Sequence, residues 1–247
     1  VTVPGYDRHF KLLAGVGIEL VPVDMTANGP DIEAVEQLAA ADASIKGIFF
    51  VPTYSNPTGD TVSDEVVQRL ASMKTAASDF TILADDAYVI HHFGDPVPRP
   101  LNLLQAAKAA GNPDRVILFG STSKVTLASA GIGFMAAAED NLTFLAGLFG
   151  LTLISPNKAE QYRHVRFLET YPGGLPALMD AHASVLGPKF QKVLDVLGEE
   201  LGASGLASWT EPRGGYFISL DTKYPVANRV VQLAKEAGVS LTPAGAT

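Results

Sequence analysis

The sequence contains no cysteine. Disulfides and thiolate metal sites are therefore excluded, and a reducing, cytoplasmic compartment is the expectation. No uninterrupted apolar run approaches the ~20 residues that a membrane-spanning helix needs. The nearest, residues 142–154, is shorter and holds two glycines. Lys and Arg together number 18 against 26 Asp and Glu, a formal net charge of −8. That balance argues against a nucleic-acid or anionic-membrane surface, so neither is expected as a partner. Residues 1–6 have neither a charged n-region nor an apolar h-region, so they do not read as a signal peptide. An initiator methionine is also missing, and the chain stops just after the turn signal Thr242-Pro243-Ala244-Gly245. A fragment lacking both ends is the expectation.

What is present has globular composition: 247 residues, 47% hydrophobic and 18% charged. That is ample for a large core. Short apolar runs at 1–3, 18–23, 45–51, 80–84, 116–119 and 132–137 read as strands. Helical patterns cover 7–14, 32–41, 63–78, 101–110, 158–169 and 178–201, the last with an interruption at Gly187-Pro188. Asp31 is placed to cap the helix at 32–41, where Ile32, Val35, Leu38 and Ala39 recur at helical spacing. Such alternation predicts an α/β fold with a mainly parallel sheet flanked by helices. Composition changes near residue 186. Ser208-Trp209-Thr210, a Pro212-Arg213-Gly214-Gly215 turn and the run 216–220 read as an antiparallel pair, followed by a helix over 225–237 and the run 239–241. We therefore expect a larger domain over 1–185 and part of a smaller α+β domain over 186–247.

Four predicted strands end in polar residues. Val3 leads to Pro4-Gly5-Tyr6, and Val51 to Pro52-Thr53-Tyr54-Ser55-Asn56-Pro57-Thr58-Gly59. Ala84 leads to Asp85-Asp86-Ala87-Tyr88, and Phe119 to Gly120-Ser121-Thr122-Ser123-Lys124. In a parallel sheet these ends share one edge, where small molecules bind. A lone lysine is ordinarily a solvated surface residue. Beside these neighbours Lys124 has another use. A buried lysine forms a Schiff base with an aldehyde, and a carboxylate keeps a pyridine nitrogen protonated so that the ring accepts electrons. Asn and Tyr hydrogen-bond a phenolate oxygen. Serine hydroxyls and backbone N–H groups suit a phosphate, and an aromatic ring stacks on a cofactor face. These are the parts a pyridoxal phosphate site needs. A nucleotide-binding loop is the rival, but it requires Gly-Lys-Ser/Thr, and here Lys124 lies between Ser123 and Val125.

Taken in order, these stretches resemble the fold-type I pyridoxal-phosphate aminotransferases, class I/II, of the aspartate aminotransferase-like branch. Asn56-Pro57-Thr58-Gly59 is similar to that family's Asn-Pro-Thr-Gly motif, which implies that Asn56 binds the cofactor's ring oxygen. Asp85-x-x-Tyr88 is similar to its Asp-x-x-Tyr motif, implying Asp85 on the pyridine nitrogen and Tyr88 on the ring oxygen. Asp86 does not match that spacing. Ser121-x-Ser123-Lys124 is similar to its Ser-x-Ser-Lys motif, implying both serines near the phosphate and Lys124 as the Schiff-base lysine. Tyr6 occupies the place of the stacking aromatic. Pro212-Arg213-Gly214-Gly215-Tyr216-Phe217 resembles the family's small-domain hairpin. Singly, each is also a good turn, cap or packing sequence.

One departure stands out. The family's phosphate-binding arginine, in an Arg-x-Gly pattern, is replaced by Gly131-Ile132-Gly133. In this the chain is closest to a divergent subgroup related to the aminotransferase-like domains of MocR regulators. Lys158, Arg163 and Arg166 are the cations available for a distal substrate carboxylate, though a solvated helix face explains them as well. His91 and His92 lack a further ligand at metal-binding spacing and read as packing or surface residues, so no metal site is expected.

The resemblance implies transamination between an amino acid and a 2-oxo acid, with aspartate and 2-oxoglutarate leading, in a homodimer. The cofactor residues alone would also serve a lyase. A ligand-sensing domain of a transcription regulator is the reading from another class.

Overall fold

In the computed structural model, residues 1–94, 97 and 99–242 are described. The turn signal at the end of the chain lies outside them except for Thr242. The main sheet has four strands in sequential order. β4 (Gly47–Phe50), β5 (Thr81–Asp85) and β6 (Val116–Ser121) are parallel, and β7 (Gly133–Ala137) returns antiparallel beside β6. A smaller sheet joins β1 (Thr2–Val3), β2 (Val23–Thr26) and β3 (Gly29–Pro30). The α/β expectation holds.

Side chains alternate across a strand, and burial follows. Ile48 and Phe50, then Ile82 and Ala84, point into one core with Val116. Three helices close that face. They are α2 (Ile32–Ala41), α3 (Asp64–Ser72) and α4 (Leu103–Ala109), and they contribute Val35, Ala39, Val67, Leu70 and Ala107. Each fully buried aliphatic side chain here stabilises by roughly 1.5–3 kcal/mol. Phe49, Leu83 and Asp85 have the opposite parity. They face the side on which α1 (Asp7–Gly15) lies, and the His9 ring of α1 stacks on Phe49 at 3.7 Å and 14°.

Caps fix the helix starts, as expected at Asp31. Asp31 accepts from the Glu33 and Ala34 N–H groups, Ser63 from Val66, and Asn102 from Gln105. The ends differ more. α3 stops at Ser72, short of 78, because Arg115 Nη1 donates to the carbonyls of Leu70, Ala71 and Met73. These are carbonyls that a continuing helix would have used. The strand expected at 18–23 forms instead at Val23–Thr26, where Thr2 and Val3 offer partners.

Beyond β7 the chain is helical. It forms α5 (Glu139–Thr152), α6 (Lys158–Thr170) and α7 (Gly174–Leu201). The expected interruption at Gly187-Pro188 does not occur, and α7 runs unbroken through Pro188. Proline removes one helical hydrogen bond but sets a φ compatible with the helix. Leu178 and Met179 anchor α7 against Val125. Position 186 therefore lies inside a helix. β8 (Ala207–Trp209) and β9 (Leu220–Thr222) form the antiparallel pair, with the second strand later than expected, and α8 (Ala227–Glu236) follows. Residues 239–241 form no strand. No helix among the described residues is long and apolar enough to cross a membrane.

Candidate active site

The carboxyl ends of β4, β5 and β6 deliver the predicted residues to one edge. Asp85 closes β5, and the backbone N–H of Asp86 donates to the Phe119 carbonyl of β6 at 2.9 Å, holding the two strand ends level. The Asp85 carboxylate accepts from His9 Nε2 at 3.0 Å. His9 lies one helical turn past Tyr6, and the two rings meet edge to face at 5.3 Å. Tyr6, His9, Phe49 and Asp85 thus form one continuous group on the α1 side of the sheet.

Tyr88 is buried, and the nearby Asn56 side chain, itself 8% exposed, favours the ionised phenol. Burial raises the Tyr88 phenol well above its ordinary value, and the Asp85 charge and the Tyr6 and Tyr216 hydroxyls add to the effect. It is a proton donor throughout the neutral range. Lys124 Nζ stands 5.0 Å from the centre of the Tyr88 ring, within cation–π range. Ser121 ends β6, and its hydroxyl donates to Ser123 Oγ at 2.9 Å while accepting the Ser123 N–H at 3.1 Å. Tyr6, Asn56, Asp85, Tyr88 and Lys124 are brought together, with Ser121 and Ser123 alongside on the turn into Lys124.

Asp86 alternates to the opposite face. Burial pushes its carboxyl up to about 6, and the Asp85 charge adds to the rise. Two adjacent carboxylates thus have separate surroundings, and only Asp85 joins the cluster.

The loop carrying Lys124 is closed at its neck. The Thr122 N–H donates to the Ile132 carbonyl at 3.0 Å, and the Ile132 N–H returns to Thr122 Oγ1 at 2.8 Å. Gly131 lies inside this neck, where a Cβ would collide with Ser123 Oγ and backbone. A side chain at 131 would force the loop to shift, and the arginine of the family pattern is replaced there by glycine.

The Pro212–Phe217 segment connects β8 to β9 and docks on the site loops. Gly214 pairs with His92, and the Gly215 N–H donates to the His91 carbonyl at 2.7 Å. A Cβ on Gly214 would strike that carbonyl and the Tyr54 ring, and one on Gly215, at φ 74°, would strike Tyr54 Cβ. Tyr54 is 1% exposed and holds a left-handed φ of 48°. Two glycines in a row are what let the segment lie on it.

Sequence reasoning missed His9, whose partner lies 76 residues away; its spacing of three from Tyr6, one helical turn, was the available signal. His91, read as a packing or surface residue, is buried at 2% exposure, and its ring also reaches the Lys124 carbonyl. Thr126 and His164 were missed as a pair. Thr126 Oγ1 donates to His164 Nε2 at 2.7 Å, tying α6 to the lysine loop. Lys158, Arg163 and Arg166 are exposed on α6, with Arg163 on Glu160 and Arg166 near Glu169.

A carboxylate, a phenol, an amide, a primary amine and two hydroxyls stand at one α/β sheet edge, a donor set able to hold a polar ligand bearing an anionic group. The same architecture is found in solved aminotransferases. The structure is similar to that of an aspartate transaminase from Corynebacterium glutamicum, with a TM-score of 0.93 and 46% identity over 99% of this chain and 57% of that one. It is also similar in fold to alpha-aminoadipate aminotransferase from Thermus thermophilus, solved with N-(5'-phosphopyridoxyl)-L-leucine. There the TM-score is 0.82 and the identity 24%, over 99% of this chain and 61% of the other.

The sequence matches the Aspartate amino-transferase family model over residues 1–247, and the chain belongs to that family. Among curated relatives, the aspartate aminotransferase of Corynebacterium glutamicum is 46% identical over 245 residues, covering 99% of this chain and 56% of that protein. The chain thus spans little more than half the length of the relatives it matches.

Proposed function

We propose that the whole protein is a pyridoxal 5'-phosphate-dependent aminotransferase. It moves an amino group between an amino acid and a 2-oxo acid. L-aspartate and 2-oxoglutarate are the pair favoured by likeness to the Corynebacterium enzyme. The convergence of Asp85, Tyr88, Asn56 and Lys124 at one sheet edge carries this reading. When bound, the cofactor supplies an electron-accepting ring.

The donor set fits that group. Asp85 would face the ring nitrogen, with His9 fixing its carboxylate. Tyr88 and Asn56 would donate toward the ring oxygen, and the raised Tyr88 phenol keeps its proton for the purpose. Tyr6 would stack on the ring, and Ser121 and Ser123 would hold the phosphate without help from position 131. Lys124 would hold the cofactor through its Nζ, and the free amine would be the base that moves the substrate α-proton. The same reading includes a larger domain over 1–185, part of a smaller one over 186–247, a homodimer and a cytoplasmic location.

Lys124→Ala in the whole protein is expected to abolish both keto-acid production and the visible absorbance of the loaded protein. Retained absorbance with a reducible imine would remove Lys124 from the role. Ammonia release without an amino acceptor would replace the transaminase by a lyase.

A further inference from the structure

His91 has a position that packing does not explain. It is 2% exposed, and its Nε2 stands 3.1 Å from the backbone carbonyl of Lys124. A carbonyl only accepts, so Nε2 carries the proton. Nδ1 is then the unprotonated nitrogen, and it is buried without a hydrogen-bond partner. An orphaned buried polar atom costs on the order of 1–3 kcal/mol, which a phenylalanine in the same space would avoid. Burial also holds the imidazole below its ordinary range, so the ring is neutral.

The contacts of His91 converge on the site. Its N–H donates to the Tyr88 carbonyl at 2.9 Å, and its ring meets the Tyr88 ring edge to face at 6.0 Å. A second donor reaches the Lys124 carbonyl, the Tyr216 hydroxyl at 3.4 Å. Tyr216 packs on His91 with ring centres 5.4 Å apart. The chain on the other side of Lys124 is also fixed. The Val125 and Thr126 N–H groups both donate to the Thr122 carbonyl, and Val125 is buried. Rotation of the peptide that follows Lys124 would break both donor contacts and re-aim the Cα–Cβ bond that points the amine over Tyr88.

We propose that His91 is a positioning residue that braces Tyr88 and the Lys124 backbone against each other, with Tyr216 as the second donor, so that the lysine amine is held at its working distance. This rests on the reading of Lys124 given above.

The test uses the whole protein with His91→Phe, which keeps a ring but has no donor, and His91→Gln, whose amide N–H reaches toward the same carbonyl. In the loaded protein, His91→Phe is expected to lower kcat about tenfold, the equivalent of one lost hydrogen bond, with KM for the amino donor within about twofold. His91→Gln recovers most of the loss. In cofactor-free protein, the acetylation rate of Lys124 by acetic anhydride, read by peptide mass spectrometry, is expected to change about threefold or more in His91→Phe, as befits a contact of this strength. It returns in His91→Gln, while Lys108 and Lys235 are unmoved. Tyr216→Phe shifts Lys124 acetylation the same way by less, its contact being longer, and decides the matter if His91→Phe does not fold. Unchanged Lys124 acetylation in the folded variants overturns the proposal, as does equal loss in Phe and Gln. A wild-type protein without aminotransfer would overturn the functional reading, while the acetylation arm still reports on His91.

Discussion

The sheet with α2, α3 and α4 contrasts with the helices that follow β7. In the first region apolar residues are buried: Phe50, Val67, Leu70, Ile82 and Val116 are all completely covered. In the second, α5 is as apolar as any helix in the chain yet buries no residue, with Phe144 at 66% and Leu151 at 84% exposed. The two regions differ in periodicity rather than in apolar content. α3 confines its apolar residues to one stripe, Val66, Val67, Leu70 and Ala71, which meets the sheet. α5 is apolar all round, the pattern of a helix covered on every side, yet the described residues bury none of it.

Leu70→Ala should give the largest effect in either region. A fully buried leucine in the first region loses about 3–4 kcal/mol on truncation. Leu148→Ala on α5, at 47% exposure, should lose less than about 0.5 kcal/mol. Equal losses in urea unfolding of the whole protein would erase the contrast. Next comes the seam between the regions. Gly214→Ala places a methyl against the His91 carbonyl and the Tyr54 ring, and should cost about 1–3 kcal/mol. Increased proteolysis confined to 210–219 would show that the seam opens while the sheet region stays folded.

A third effect depends on pH and belongs to the sheet region alone. Asp86 titrates at about 6 in the folded protein against an ordinary 3.8. The folded state thus holds the proton more tightly than the unfolded state does. The stability this gives is fully present below pH 4 and is lost as pH rises through 6. Asp86→Asn should therefore match wild type at pH 4 and exceed it at pH 7.5, by about 1–2 kcal/mol. A gain that persists at pH 4 would assign the effect to something other than titration.

Local signals in the sequence were readable where the physics is local. Asp31 and Ser63 cap the helices they precede, because a side-chain oxygen two or three residues from an N–H needs nothing else. The apolar run at 80–84 located β5 from its own residues. What escaped depends on distant partners. The end of α3 is set by Arg115, more than forty residues later. The position of β2 depends on where Thr2 and Val3 lie. His9 and His91 looked ordinary because Asp85 and the Lys124 carbonyl, which give them meaning, are neighbours only in the folded chain. The site motifs were legible as types of chemistry, and their support was not.

The closed neck between Thr122 and Ile132 separates two kinds of change in the lysine loop. Inside the neck, the chain between Ser121 and Val125 has almost no freedom in length or direction. Outside it, Leu127 and Ser129 face solvent. A residue inserted at that outer bend lengthens an already closed ring, and ring closure depends only weakly on length. The loop can therefore diverge at its tip, altering what approaches the site from that side, while the lysine at its base stays in register with the sheet.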